Sequence, residues 1–253
     1  MALSTYAANK ALDHVLRNTA WTKPTNTYVS LHTADPGLTG ANEVSAGWYA
    51  RQTASWAVAT TSGISTNATL TWSAITGSGV TVTHIGLWDA SSAGNFLWAL
   101  DVTDKAYSVG QVPRIASGNV SITIDSNISN YLIPRILDHL TGRATYTQAA
   151  SVHTALYTSD PTAADSGTEV SGTDYAREAT TFSAASSRAV DTAGDTDFGT
   201  AGAGGWGTIT HYGIRDAASA GNLLVFGSLT SSGNVAASDT FKIPSGSYDI
   251  AWN

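Results

Sequence analysis

Apolar positions along this chain switch between two periods, and they do so twice. Leu3, Ala7, Ala11, Leu12, Val15 and Leu16 fall three and four residues apart, which predicts a helix with Ser4 as its N-cap. Leu132, Ile133, Ile136, Leu137 and Leu140 repeat that spacing after Ser129, with Gly142 placed as a left-handed terminating residue. Pro134 is compatible with this helix only near its first turn. Behind each helix the period becomes two. Val29, Leu31 and Thr33 alternate with Tyr28, Ser30 and His32, and Thr154, Leu156 and Thr158 with His153, Ala155 and Tyr157. Further strands are expected at Tyr49–Val58, Ala68–Trp72, Val80–Trp88, Asn95–Val102 and Asn119–Ile124, each with a counterpart downstream. The breaks carry turn chemistry, as in Asp35-Pro36-Gly37 and Ser92-Ala93-Gly94-Asn95. Short strands at near-regular spacing predict a mainly β protein of two tandem antiparallel β-sandwich or barrel-like domains. Each is preceded by a short amphipathic α-helix that caps an open end or edge of its own sheet or of a neighbour's.

The duplication is visible in the letters themselves. "TYVSLHTADP" at Thr27–Pro36 returns as "SVHTALYTSDP" at Ser151–Pro161, and "EVSAGWYARQ" as "EVSGTDYARE". "THIGLWDASSAGNFL" at Thr83–Leu97 returns as "THYGIRDAASAGNLL" at Thr210–Leu224. The offset creeps only from 125 (Leu31 to Leu156) through 126 (Tyr49 to Tyr175) to 127 (His84 to His211). Domains of residues 1–125 and 126–253 follow, with the boundary near Asp125–Ser129 and no long linker. At 253 residues, each half is long enough to bury its own core. A position kept in both halves is architectural, and one that differs is free to do something else.

Composition narrows the function classes. With no cysteine there is no disulfide scaffold and no thiolate metal site. Charged residues make up 12%, about half the usual share, so the surface must be largely Thr, Ser, Asn, Gly and Ala. A net charge of −7 without a Lys/Arg cluster argues against a nucleic-acid partner. No apolar run is long enough to span a bilayer and no secretion signal opens the chain, so no membrane partner and folding in the cytoplasm are expected.

Candidate chemistry is sparse. His84 and His211 are kept as Thr-His-x-Gly; by parity His84 shares a face with Val80, Val82 and Gly86, which predicts a core histidine bonded to backbone. His14 and His139, next to Asp13 and Asp138, are not paired by helical spacing and read as helix C-terminal caps. Asp89 and Asp216 open a repeated turn closed by Gly94 and Gly221, and Asp35 and Asp160 read as turn residues too. Asp191, Asp195 and Asp197 only faintly resemble a calcium loop. Arg51 and Arg177 follow Glu43 and Glu169 by eight residues, which predicts an ion pair tying a loop to a strand. No catalytic residue, metal site or cofactor emerges. Trp56, Trp72 and Trp21 align with Phe182, Phe198 and Tyr146 and are expected in the core. Trp48, Trp88 and Trp98 align instead with Asp174, Arg215 and Val225, which makes them interface candidates, with Trp48 and Trp88 expected to be exposed.

The stretches "YVSLHTADPGLTGANEVSAGWYARQ" and "THIGLWDASSAGNFLWAL" resemble the phage tail fibre protein family, short virion proteins of tailed bacteriophages, here as two copies end to end. The resemblance implies a non-enzymatic structural virion protein, made in the host cytoplasm and resident in the virion. Its partners would be other virion proteins, either the major capsid protein or tail proteins, in a homo-oligomer or symmetric array. A shaft needs sustained heptads or a short β-repeat, and neither is present. Two compact, low-charge units therefore favour a capsid decoration or cement protein, with a tail fibre or tail-tip component, with or without host surface glycan binding, as the alternative.

Overall fold

The computed structural model describes residues 2–124, 127–248 and 250–252, so Asp125 and Ser126 at the expected boundary lie outside the described residues. The first repeat runs β1 (Ala2–Leu3), α1 (Thr5–Leu16), β2 (Thr27–His32), β3 (Gln52–Ala54), β4 (Ile64–Ser65), β5 (Leu70–Thr71), β6 (Val80–Trp88), β7 (Phe96–Tyr107), β8 (Arg114–Ile115) and β9 (Ser121–Ile122). The second runs α2 (Leu132–Leu140), β10 (Val152–Tyr157), β11 (Glu178–Thr180), β12 (Ala189–Val190), β13 (Thr196–Thr200), β14 (Gly207–Arg215), β15 (Leu223–Val235), β16 (Thr240–Ile243) and β17 (Ile250–Ala251). Strand order is β1-β7-β6-β2-β3 in one main sheet and β11-β10-β14-β15 in the other, with all pairings antiparallel. Ribbons β4-β9 and β5-β8 recur as β12-β17 and β13-β16. Even β1, paired with Trp98 and Ala99, has a remnant in the single bridge Ile128–Val225. The topologies match element for element. Neither main sheet closes, so the architecture is sandwich-like and the barrel variant does not apply.

One face of β2 and β6 carries Leu31 and Ile85 toward the ribbons, where Trp72 and Ile115 meet them. The opposite face is also covered, against the half-buried alternation expected of β2. Ser30 and His32 are fully buried beneath the loop after β2. Gly40 there (φ +82°) lies so flat on the Trp88 and Phe96 rings that an added Cβ would fall 2.3 Å from the indole.

Each helix begins as its sequence indicates. Ser4 Oγ accepts from Ala7 N–H and donates to the Phe96 carbonyl; Ser129 Oγ accepts from Leu132 N–H and donates to the Leu223 carbonyl. One hydroxyl thus caps the helix and bolts it to the first residues of β7 or β15. Pro134 is the third helical residue, and Gly142 takes φ +80° after the last turn.

The helices touch both repeats. α1 packs on β7 of its own sheet and equally on β12 of the second repeat, and α2 packs on β4 of the first. Asp13 accepts from Ala185 N–H at 2.9 Å, and Asp138 from its counterpart Ala59 N–H at 3.2 Å. At the centre of this exchange stand His14 and His139, with ring centres 4.7 Å apart. His14 Nε2 donates to the Tyr146 carbonyl while its Nδ1 accepts from Trp21 N–H; His139 Nε2 donates to the Trp21 carbonyl while its Nδ1 accepts from Tyr146 N–H. A carbonyl only accepts and an N–H only donates, so both imidazoles are fixed as neutral Nε2–H tautomers. The expected helix-capping role for these histidines is therefore wrong: they lie on a pseudo-twofold axis and cross-link the repeats. Nor are there two separate cores, because one cluster of buried apolar residues runs from Leu3 to Trp252.

Burial, followed by the neighbouring His14 and Lys23, lowers the His139 pKa from 6.5 to about 4. The unfolded chain then binds the extra proton first, so this contribution to stability is complete above pH 6.5 and is lost as pH falls toward 4. The thermal midpoint should drop across that window, and His139→Gln should flatten the drop. A protease site placed at residues 125–126 tests the interlock directly. The cut halves should co-elute in size-exclusion chromatography, and His14→Ala with His139→Ala should weaken their association.

Candidate functional site

The Arg–Glu pairs form as the spacing predicts. Arg51 grips Glu43 through Nε and Nη2 at 2.8 and 2.7 Å, and Arg177 grips Glu169 through the same two nitrogens at 2.7 Å each. The remaining Nη1 of each donates to two carbonyls of the next turn, those of Ala90 and Ala93 or of Ala217 and Ala220. Tyr49 and Tyr175 donate their hydroxyls to the same carboxylates. The Arg51 guanidinium also lies 3.6 Å from the Trp88 ring centre. Hydrogen bonds from Arg51 and Tyr49 hold the Glu43 carboxyl below its usual range, against a larger opposing effect of burial. Every guanidinium nitrogen of both arginines is already hydrogen-bonded, so the clamp ties loop to strand and leaves no free donor with which to grip a substrate carboxylate.

The turn residues also fall where expected. Asp89 accepts from the backbone and side-chain N–H groups of Asn95, and Asp216 does the same for Asn222, with Gly94 and Gly221 at positive φ. Asp35 accepts from Gly37 N–H and Asp160 from Thr162 N–H. Asp195 is taken by Lys242, and Asp191 accepts from Thr192 and Gly246 N–H groups. Among the described residues, no group of three or more His, Asp or Glu side chains could hold a metal ion.

His84 and His211 depart from the expectation of a backbone-bonded core residue. Both are half-buried, and their Nδ1 atoms bond to the hydroxyls of Thr83 and Thr210 at 2.8 Å. The cause is a β-bulge between Val82 and His84, repeated between Ile209 and His211, which breaks the alternation. Val82 and Ile85 end up on the same, ribbon-facing side, and His84 sits opposite His32 on the other.

The tryptophans correct the exposure argument. Trp48 and Trp88 are each 8% exposed and Trp98 is 1%. Trp98 and its counterpart Val225 are both core. Trp88 packs on Phe96 and donates to Ser30, whereas Arg215 in its place is equally buried and bonds to Asp165 and Tyr157. Asp174 is exposed, but the ring that Trp48 lays against Tyr49 is supplied to Tyr175 from elsewhere, by Trp206. Trp206 stands where the first repeat has Gly79. Buried volume is kept while its source moves along the chain, so alignment position by position misreads it. Trp56, Trp72, Trp21, Phe182, Phe198 and Tyr146 are core as expected.

One arrangement escaped sequence reasoning. Ser30 Oγ donates to His32 Nε2 at 2.7 Å while His32 Nδ1 donates to the Ala41 carbonyl. A serine–histidine bond suggests a nucleophile, but both residues have no exposed surface, and a carbonyl stands where a triad needs a carboxylate. Its alternating i, i+2 spacing was legible; its burial was not. None of these residues lines the cleft of about 660 Å³ that opens beside β7 in the first repeat.

The protein-family model described as Podophage GP4 fiber I protein gp80 matches residues 2–123 and again residues 127–251. The chain belongs to that family, in two consecutive copies. No curated protein matches.

Two substitutions check these assignments by chemical denaturation. Arg51→Ala should cost on the order of 2 kcal/mol, less than for a fully buried pair because Glu43 keeps some solvent. Trp206→Ala should cost about 3–5 kcal/mol, and Asp174→Ala less than about 1 kcal/mol.

Proposed function

We propose that this member of the podophage fibre family serves as a compact, non-enzymatic structural module of the particle's fibre apparatus. The observation that carries the reading is the match of each repeat separately to a fibre family, together with an interlock that joins the repeats into one body. In this reading the module is a globular piece of the fibre and its shaft is another protein. Its partners are other virion components. The buried polar constellations, the Arg–Glu clamps and the Ser30–His32 bond, are used up in holding loops to sheets, which favours binding over catalysis. No helix among the described residues is long and apolar enough to cross a membrane. The capsid-decoration role suggested by low charge and duplication has no specific feature behind it, and the fibre assignment replaces it as the preferred reading.

Copy number separates these two sites. Quantitative mass spectrometry of purified particles should find a small number of chains per virion, with immunogold label at the tail. Hundreds of copies spread over the head would instead make the chain a decoration protein.

A further inference from the structure

The ties across the pseudo-twofold axis leave one repeat and end on the other. Tyr146 and Trp21 offer their carbonyls to the facing histidines, and Asp13 and Asp138 hold the facing loops at Ala185 and Ala59. Arg17 Nε donates to the Phe182 carbonyl, Lys23 Nζ to the Gly142 carbonyl and Thr27 Oγ1 to the Thr141 carbonyl. Around these bonds the buried faces of α1 and α2, with Trp21 and Tyr146, belong to one core. No disulfide can join the repeats, because the sequence holds no cysteine. The connection in the chain is short: β9 ends at Ile122 and Ser129 already caps α2.

The two histidines are the titratable centre of this interface. Both are buried, and no described carboxylate bonds to either ring. No group on the surrounding elements is free to balance a charge there. On α1, Asp13 is held by Arg17 and Ala185, and Lys10 lies over Tyr6. On α2, Asp138 is held by Arg143 and Ala59, and Arg135 lies over Tyr131. Lys23, behind Trp21, and Arg188, beside β12, are cations themselves. β4 and β12 carry no titratable side chain, and Asp101, Asp104 and Lys105 of β7 are exposed. A proton on either ring turns its bonded acceptor into a second donor, facing the N–H of Trp21 or of Tyr146. Burial already lowers the pKa of His139, in keeping with that cost.

We infer that the repeats close across chains as well as within one: repeat 1 of one copy receives repeat 2 of a second copy, and the second copy reciprocates. The histidine pair is the catch that releases first. A reciprocal dimer of this kind repeats each native contact, so it needs no new surface and differs only in the path of the connecting chain. Closure within one chain wins in dilute solution, because linked modules meet at an effective concentration of about the mM range. Closure across chains competes when copies are crowded to that concentration. The inference concerns the purified chain and goes beyond the fibre assignment, which it does not require.

The test mixes two populations of the intact chain, Asn9→Cys and Ala189→Cys, at about 1 mM. The mixture is held briefly at a pH of about 4 and then neutralised. Asn9 accepts from Arg188 N–H across the axis, so a short bis-maleimide joins the two positions only through a closed interface. After dilution, size-exclusion chromatography with light scattering should find a dimer, cross-linked between the populations, while neither population alone cross-links. A mock pulse at neutral pH should give about tenfold less dimer. His14→Gln with His139→Gln should lower the yield of the acid pulse several-fold. Refolding from urea at the same concentration bypasses the catch, so parent and variant should give equal dimer by that route. Monomer alone after both routes, or dimers without cross-links between the populations, would overturn closure across chains. Equal yields from parent and variant after the acid pulse would overturn the part given to the histidines. Particle copy number is read separately, so neither failure touches the fibre assignment.

Discussion

The reciprocal bond between His14 and His139 and the opposite repeat's backbone is the constraint on which the rest of this structure depends. Each imidazole takes one N–H from its own repeat and gives one to the other, so neither histidine fills both of its ring nitrogens without the sister repeat. Such a bond is sound only while both rings are uncharged, because a proton on either would lie within 5 Å of its twin, 4.7 Å between centres, and would strip away an acceptor. At His139 burial holds the ring neutral. Asp13 and Asp138 extend the same exchange outward by capping loops on the far side of the axis.

Duplication supplies a control that single-copy proteins lack. Where both repeats keep a residue, as with Arg51 and Arg177, the structure shows one geometry realised twice. Where they differ, two cases must be separated. Trp88 and Arg215 solve the same burial problem by different chemistry, and Trp48 and Trp206 fill the same space from different positions. These differences are architectural after all. At the cleft mouth the repeats differ outright, since Asp101, 3.7 Å from His84, and Lys105, unpaired among the described residues, give way to Ser228 and Gly233.

A fibre family and a compact fold are compatible once the unit is seen as a pair. A repeat whose helix lies over its neighbour's ribbon is complete only as a pair, and fusing two copies makes that pairing independent of concentration. Such a body holds two copies of the same sheet, and the polar cleft opens beside the first of them.

Much of the fold was legible because its signals are local. Helix periodicity with Ser4 and Ser129, the Asp89 and Asp216 turns, the Arg–Glu spacing and the repeat itself depend on residues within about ten positions of one another, or on comparison of the two halves. What the sequence could not determine is set by contacts across more than a hundred residues or by a shift of register. A bulge before His84 reverses a face that strict alternation assigns to the core. The exchange of helices depends on which surface lies opposite, and no spacing along the chain encodes that. Burial of Trp48 and Trp88, and the open cleft beside β7, were settled only when the second layer closed over the first. Space is shared among distant side chains, and a sequence records only the order in which they come.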